Sequence, residues 1–530
     1  MPYQIKRVAV IGAGTMGAAI AGLVAGAGLP VLLLDVPPGK LTPEEEAKGL
    51  SLSHPAVRNR IVSQGYDRMR KARPANLYSA ATAGLISLGN TEDDFAKLAD
   101  CDWIVEVIIE QLGPKQALMA RLEAVRKPGA IITSNTSGIP IALIAEGRSA
   151  EFKAHFFGTH FFNPPRYLKL LELIPGAESA PAAVAAMRAF TEDTLGKGVV
   201  VCKDRPNFIG NRLIAFAAMS DLRFISDNGY TIEEVDALTG PVIGRPNTAT
   251  FRLLDVVGID IMAHVANNLY PAVPDDESRE TLRATDLLDR MVAAGKLGRK
   301  TGGGFYKEVK QGGKREFWPL DLATLDYVAL QGTADVDAFI AQANKIRGLP
   351  ERLRFMLKAA EDPANRGAAL VAQTLLPVMA YAARRLPEIA DSVADVDAAM
   401  RWGFAHELGP FQIWEALGVA EAAAMMQARG LALPAWVDAL AASGNAHFYT
   451  TLGGQPAAFN VSSGRHEILE RSPLAIDLAA RKAAGAEVLG NSDASLIDLG
   501  DGVLCFEIHS KANTISAPVM EIALATHDEL

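Results

Sequence analysis

Cysteine is scarce in this chain. Cys101, Cys202 and Cys505 are the only three in 530 residues, and no two of them form a C-x-x-C pair. That scarcity excludes a disulfide framework and a thiolate metal site, and it suits a reducing compartment. Basic residues are in the minority too. There are 52 Lys and Arg against 61 Asp and Glu, a formal net charge of −9, which argues against nucleic acid as a partner. No apolar run reaches the roughly 20 residues of a membrane span. No secretory apolar segment precedes the first strand-like run. A cytoplasmic protein without a membrane span or a bound metal is the expectation. The hydrophobic share of 49% and the charged share of 21% are ordinary for a globular chain. The length calls for three or four domains.

The stretch around which the rest is organised is Lys6 to Asp35. Val8 to Ile11 is a short β-branched run, as a buried parallel strand requires. Gly12-Ala13-Gly14-Thr15-Met16-Gly17 follows at once and fits G-x-G-x-x-G. Ala18 to Ala25 is Ala-rich and helical, Val31 to Leu34 is a second buried strand, and Asp35 closes it. Each part has a physical task. Gly12 permits the tight turn, Gly14 lets the backbone approach a pyrophosphate, and Gly17 lets helix pack on strand. The helix N-terminus offers free N–H groups and a positive dipole end to the phosphates. Asp35 can accept hydrogen bonds from an adenosine ribose and would repel a 2′-phosphate. No Arg follows it, so NAD is expected rather than NADP. The bland alternative is a Gly-rich turn in another α/β protein.

After Pro37-Pro38-Gly39 a polar, helical insertion runs to about Tyr78, and Arg68, Arg70, Lys71 and Arg73 make its end basic. It reads either as a clasp over an anionic ligand or as a solvated helix face. Leu85 to Leu88, Trp103 to Val107 and Ala130 to Thr133 are expected strands, with a helix at Asp93 to Leu98. Glu110, Lys115 and Ser134-Asn135-Thr136-Ser137-Gly138 then fall at the carboxyl ends of strands, where open α/β sheets bind ligands.

Next comes H-F-F-N-P-P-R-Y-L-K-L-L-E-L-I, from His160 to Ile174. Two strand-like runs flank Asn163-Pro164-Pro165. Glu172 lies among Leu170, Leu171, Leu173 and Ile174, where a carboxylate needs a partner. His160 can fold back towards it. A carboxylate on one imidazole nitrogen fixes the tautomer and makes the other more basic, as a general base for an alcohol proton requires. The competing reading is a core histidine and an edge glutamate that never meet. His155 is read as structural.

Val199 to Val201 is the last strand of this domain, and Asp204-Arg205-Pro206 ends it. Helices are expected at Asn207 to Ile225, Ile232 to Leu238 and Leu253 to Leu269, followed by the Gly-rich basic turn Lys300 to Tyr306. An internal repeat is visible. Glu234-Val235-Asp236-Ala237 is answered by Asp395-Val396-Asp397-Ala398, and Phe251 to Gly258 by Phe411 to Gly418, at offsets of 161 and 160 residues. Near the end, Ser495 to Leu499 and Val503 to Ile508 flank Gly500-Asp501-Gly502 and read as a β-hairpin with a D-G turn. A helix is expected from about Ala517.

These residues resemble the L-3-hydroxyacyl-CoA dehydrogenases of fatty-acid β-oxidation. The resemblance rests on G-A-G-T-M-G, Glu110 with Lys115, S-N-T-S, H-F-F-N-P, the Glu twelve residues after that His, P-x-F-I-x-N-R and K-T-G-x-G-F-Y, from Val8 to about Tyr306. One departure is Asn207, where many members carry Gly. Asn tolerates left-handed backbone better than most residues. The resemblance places catalysis on His160 and Glu172, with Ser137, Asn163 and Asn211 at substrate and nicotinamide. It makes Gly12, Gly14, Thr15, Met16, Gly17, Asp35, Glu110, Lys115, Asn163 and Lys300 the cofactor contacts, and an acyl-CoA the substrate. Leu499 to Ser516 is similar to the opening of a crotonase domain, as in bacterial fusions of a dehydrogenase with an enoyl-CoA hydratase. Only that opening is read here, so no hydratase activity is expected.

The expected fold is therefore an α/β Rossmann-type NAD-binding domain (1–203) and a helical dehydrogenase C-terminal-type domain (204–307). A linker or insertion (308–365) follows, then a second helical copy with an extension (366–484) and a partial crotonase-like tail (485–530). The two helical copies should pack on each other as an internal pseudo-dimer in a monomeric dehydrogenase. The expected activity is NAD-dependent oxidation of L-3-hydroxyacyl-CoA. The alternatives are an NAD-linked dehydrogenase of another β-hydroxyacid and a non-catalytic NAD(H)-sensing or scaffold protein.

Overall fold

Short β-branched runs alternate with helices through the first 200 residues, and they assemble into one open sheet. The computed structural model describes residues 3–529 except 312, 313, 445, 471 and 473. The strands are β1 (Val8–Ile11), β2 (Val31–Asp35), β3 (Ile86–Asn90), β4 (Trp103–Glu106), β5 (Ile131–Ser134), β6 (Phe156–Phe161), β7 (Leu170–Pro175) and β8 (Gly198–Val201), in the order β3-β2-β1-β4-β5-β6-β7-β8. Neighbours are parallel through β6; β7 then turns back, antiparallel to β6, and β8 runs with it, parallel to β7. This is the doubly wound nucleotide-binding order with two strands added at one edge. β1 and β4 are wholly buried, which is why they read as continuous apolar runs. Helix α1 (Thr15–Gly26) follows β1, and α2 (Arg60–Lys71), within the basic insertion, lies against it.

The helical part begins with α3 (Gly210–Asp227), three residues later than the sequence suggested. Asn207 and Phe208 both have positive φ, 63° and 48°, so they turn the chain rather than start the helix. The expected tolerance of Asn207 for left-handed backbone is met. Then come α4 (Ile232–Leu238), α5 (Phe251–Val257) and α6 (Ile259–Ala272). The apolar pattern from Leu253 to Leu269 suggests one helix where the structure has two. They separate at Gly258, whose φ of 106° breaks the helical path. A hairpin, β9 (Tyr306–Gln311) with β10 (Lys314–Pro319), is followed by α7 (Ala334–Asn344) and α8 (Leu349–Ala359). Residues 308–365 are thus a folded insertion rather than a linker, because Val336, Phe339, Leu349, Leu353 and Met356 are buried in the main core.

The second helical region has α9 (Arg366–Arg385), α10 (Val393–Phe404), α11 (Pro410–Leu417) and α12 (Val419–Ala428), with the break between the last two at Gly418 (φ 93°). It ends in an unforeseen three-stranded sheet, β11 (Tyr449–Leu452), β12 (Gln455–Asn460) and β13 (Arg465–Ile468). α3 and α9 pack directly on each other. Phe216 and Tyr381 stack with ring centroids 4.0 Å apart. Fully buried Arg212 donates to the Tyr381 hydroxyl at 2.6 Å and to Asp276 at 2.5 Å, so the buried cation is matched by a carboxylate.

The chain divides into two units, Met1–Leu469 and Glu470–Leu530, so residues 470–484 group with the tail rather than with the second helical copy. In the smaller unit β14 (Glu487–Gly490), β15 (Ala494–Gly500) and β16 (Val503–Ile508) form one antiparallel sheet, and α13 (Ala517–Glu529) follows. The expected hairpin is present, with positive φ at Asp501 and Gly502 as such a turn demands. Ala494, Leu496, Val519 and Ile522 are its buried apolar cluster. No described helix is long and apolar enough to cross a membrane.

Candidate active site

The site gathers at the carboxyl ends of β1, β4, β5 and β6 and at the start of α3. At β1 the glycines act as their positions suggest. Gly12 has φ 107°, and a Cβ there would lie 2.3 Å from the Val107 carbonyl oxygen. A Cβ on Gly17 would lie 1.8 Å from the Gly12 carbonyl oxygen, so no other residue lets α1 start so close to β1. Gly14 is different, because nothing stands within 4 Å of where its Cβ would be. The room above it is free for a ligand. Thr15 and Met16 open α1, whose N-terminal N–H groups have no side-chain cap. Asp35 ends β2 and accepts from the Ala13 N–H at 2.6 Å and the Val36 N–H at 2.7 Å. Open space, uncapped donors and an acid at the second strand's end together fit a dinucleotide. Arg68 of α2 reaches the Ala13 carbonyl oxygen at 3.5 Å, so the basic insertion borders this loop.

Glu110 and Lys115 are brought together, and both support the loop after β5. Glu110 accepts from the Thr136 hydroxyl (2.5 Å) and from the N–H groups of Ser137 (2.9 Å) and Gly138 (3.2 Å). Burial alone would raise its pKa, but the Lys115 ammonium and these donors hold it below the ordinary carboxylate range. Lys115 is 1% exposed and lies between Glu106 (2.7 Å) and Glu110 (3.2 Å). Glu106 was missed in the sequence. It is fully buried at the end of β4, where it also accepts from the Ser134 hydroxyl (2.5 Å) and the Ile108 N–H (2.7 Å). Its signal was an acid closing the apolar run W-I-V-E. Asn135 ties the same loop to β6 by accepting from the Phe161 N–H at 2.9 Å.

His160 and Glu172 do meet. They are directly opposed partners in the antiparallel β6–β7 pair, and His160 Nδ1 donates to Glu172 Oε2 at 2.6 Å. Glu172 is fully enclosed, and its other oxygen accepts from the N–H groups of Ile209 (3.1 Å) and Gly210 (2.7 Å) at the start of α3. The helix N-terminus thus supplies what a buried carboxylate needs. His160 Nε2 has no partner among the described residues, and the ring neighbours Phe162 (4.6 Å) and Phe208 (5.8 Å). Asn211 is the residue after Gly210 and is half-buried, while Asn163 is exposed just beyond β6. A Cβ on Gly138 would lie 2.8 Å from Asn207 Oδ1, so the Ser137 loop abuts the turn into α3. Lys300 stands apart from this group and pairs with Asp260 at 2.5 Å. His155 bonds the Tyr3 hydroxyl and the Glu151 carbonyl, as a structural histidine does.

Residues 7–205 match the family described as 3-hydroxyacyl-CoA dehydrogenase, NAD binding domain, and residues 208–308 match 3-hydroxyacyl-CoA dehydrogenase, C-terminal domain. A probable 3-hydroxyacyl-CoA dehydrogenase of Deinococcus radiodurans is 47% identical over 307 residues, which are 58% of this chain and 84% of that relative. The chain belongs to the 3-hydroxyacyl-CoA dehydrogenase family. A longer likeness runs to a family member of Bacillus subtilis, a probable 3-hydroxyacyl-CoA dehydrogenase. It is 42% identical over 522 residues, covering 98% of this chain, and this chain spans 64% of that relative's length. The crystal structure of 3-hydroxybutyryl-CoA dehydrogenase from Escherichia coli matches 83% of this chain and 99% of its own with a TM-score of 0.59 at 21% identity. That likeness is one of fold. Residues 7–205 are thus the family's NAD-binding domain, and the helix that closes on Glu172 opens its C-terminal domain.

Proposed function

We propose that the chain oxidises the 3-hydroxyl of L-3-hydroxyacyl-CoA thioesters to the ketone, with NAD as hydride acceptor, in the cytoplasm. The observation that carries the reading is the His160–Glu172 pair with the second Glu172 oxygen held by α3. A carboxylate so fixed keeps the imidazole in the tautomer whose Nε2 is free to accept a proton. NAD, when bound over Gly14, supplies the hydride acceptor. His160 takes the proton of the C3 hydroxyl at Nε2, and Glu172 stabilises the imidazolium that results. In the reverse direction the imidazolium returns that proton to the ketone oxygen. Ser137 and Asn211 place and polarise the substrate oxygens, with Asn163 beside them. Asp35 holds the adenosine ribose. Glu110 and Lys115 serve the cofactor by holding the loop after β5, and the family resemblance alone makes Lys300, which pairs with Asp260 away from that loop, a further cofactor contact.

The test is oxidation of CoA thioesters of graded chain length, followed by NADH absorbance. NADH formed from a free 3-hydroxyacid but from none of its CoA esters would replace this reading with the β-hydroxyacid one. Tight NADH binding with no turnover at all would leave a sensor or scaffold.

We infer further that the two helical copies form an internal pseudo-dimer and leave the dehydrogenase monomeric. The stacked Phe216–Tyr381 pair and the buried Arg212–Tyr381–Asp276 network support this. Light scattering showing a stable dimer held by residues 204–307 would contradict it. The tail is read as the opening of a crotonase-like domain. Its buried apolar cluster of four residues is too small to shape a thioester site, so hydration of crotonyl-CoA by this chain would overturn that view.

A further inference from the structure

The base His160 is fixed by a single hydrogen bond to protein. One bond from Nδ1 to Glu172 still leaves the ring room to rock about its two side-chain torsions. That rocking is limited by the two rings beside it, Phe162 at 4.6 Å and Phe208 at 5.8 Å, both tilted to the imidazole. Phe208 belongs to the turn that leads into α3. Phe162, at the end of β6, is itself backed by a residue from far along the chain. Phe404, the last residue of α10, meets Phe162 edge-on, with centroids 5.7 Å apart and planes at 79°. Phe404 also closes on the helix end that holds Glu172, for a Cβ on Gly210 would lie 3.3 Å from its ring.

The contact is part of a continuous seam. A Cβ on Gly403 would lie 2.7 Å from the Leu170 side chain at the start of β7. A Cβ on Gly198 in β8 would lie 2.4 Å from the Trp402 ring, which also faces the Lys169 ammonium at 4.9 Å. Trp402-Gly403-Phe404 therefore lies along the strand that carries Glu172, and two glycines, one on each side, make the approach possible.

We propose that Phe404, from the second helical region, is a positioning residue for His160. It acts through Phe162 on the plane of the imidazole, and the site of residues 1–307 is incomplete without it. This rests on the dehydrogenase reading above, and the test separates the two. In the full chain, Phe404→Ala should lower kcat about 10-fold, since misplacing a reacting group by a fraction of an ångström costs that much. KM for the acyl-CoA and the dissociation constant for NAD should change less than about 2-fold. Phe404→Leu should restore most of kcat. Trp436→Leu removes a comparable ring elsewhere in the second region and should leave kcat of the folded enzyme unchanged. A readout without substrate is the downfield proton resonance of the His160 Nδ1–H. It should broaden or move in Phe404→Ala and stay in place in Trp436→Leu. If the wild type oxidises no hydroxyacyl-CoA, the functional reading falls, and the resonance still decides the positioning role. The proposal is overturned by an unchanged kcat and resonance in Phe404→Ala, or by equal losses in Phe404→Ala and Trp436→Leu.

Discussion

The first helical region and the second are built on one plan and differ in what stands at the entrance to their first helix. In the first, Asp236 accepts from the Phe251 N–H (2.7 Å) and the Tyr306 hydroxyl (3.0 Å). In the second, Asp397 accepts from the Phe411 N–H (2.8 Å) and from the Tyr449 hydroxyl. Asp255 takes the Phe305 N–H at 2.7 Å, and Glu415 takes the Phe448 N–H at 2.6 Å. Each region then breaks a helix pair at a glycine, Gly258 or Gly418, with φ 106° and 93°. The scaffold is thus repeated to the level of single hydrogen bonds. The helix entrance is not. α3 presents two N–H groups to Glu172, whereas Asn365, before α9, spends its side chain on the helix's own Ala368 N–H. A helix that caps itself has no need of an outside carboxylate. The repeat keeps what holds the fold, and the first copy alone offers its helix entrance to Glu172.

The comparison can be broken at the feature only the first region serves. His160→Gln should lower turnover at least about 10²-fold, the lower range for losing a general base, with NAD affinity nearly unchanged. Near-normal NADH formation would remove His160 from the base role. pH comes next. Burial raises Asp236 from 3.8 to about 6 and the more deeply enclosed Asp397 from 3.8 to about 7. An acid whose pKa is raised on folding binds its proton more tightly in the native chain. Its stabilising contribution is full below about 3.8 and is lost as pH rises through the folded value. Stability to urea should therefore fall from pH 5 to pH 8. Asp236→Asn should flatten the lower part of that fall and Asp397→Asn the upper part. A midpoint that rises over this range contradicts the assignment.

The two glycines sharpen the comparison further. Both hold backbone that an L side chain strains, at about 1–3 kcal/mol. Gly258→Ala should cost more than Gly418→Ala, because a Cβ at 258 would lie 3.1 Å from Asp260 and 3.2 Å from Lys300, while at 418 the nearest atom is 3.8 Å away. Equal thermal midpoints would show that crowding contributes nothing. The smallest effect is expected of Tyr306→Phe and Tyr449→Phe. Each removes one hydrogen bond to an enclosed carboxylate, about 1 kcal/mol or somewhat more, and the two losses should match within error with turnover retained.

The nucleotide-binding half was legible because its signals are local. A β-branched run, three glycines and an acid lie within about 30 residues, and each glycine proved to sit where a Cβ would collide or where a ligand needs room. His160 and Glu172 were legible only as a possibility, since twelve residues of spacing allow a hairpin but do not demand that two side chains face each other. The register of β6 on β7 decided it. Glu106 stayed hidden because its partners, Lys115 and Ser134, come from separate segments. The Phe305-Tyr306 and Phe448-Tyr449 equivalence also escaped, for its offset of 143 residues differs from the 161 of the aspartates. The break at Gly258 was invisible to an apolar pattern that continues across it.

One consequence of Glu172 reaches beyond the reaction. Its two oxygens are claimed by different domains, one by the histidine of the sheet and the other by the first turn of the helical half. Were the halves to part, a carboxylate with no access to water would lose two of its donors. The same carboxylate therefore works as an interlock, seating the halves against each other and fixing the His160 imidazole in one event. In a mutational screen, lesions along that seam and lesions in the chemistry would fall into a single phenotypic class, inseparable by activity alone and distinguishable only by measuring how the two halves come apart.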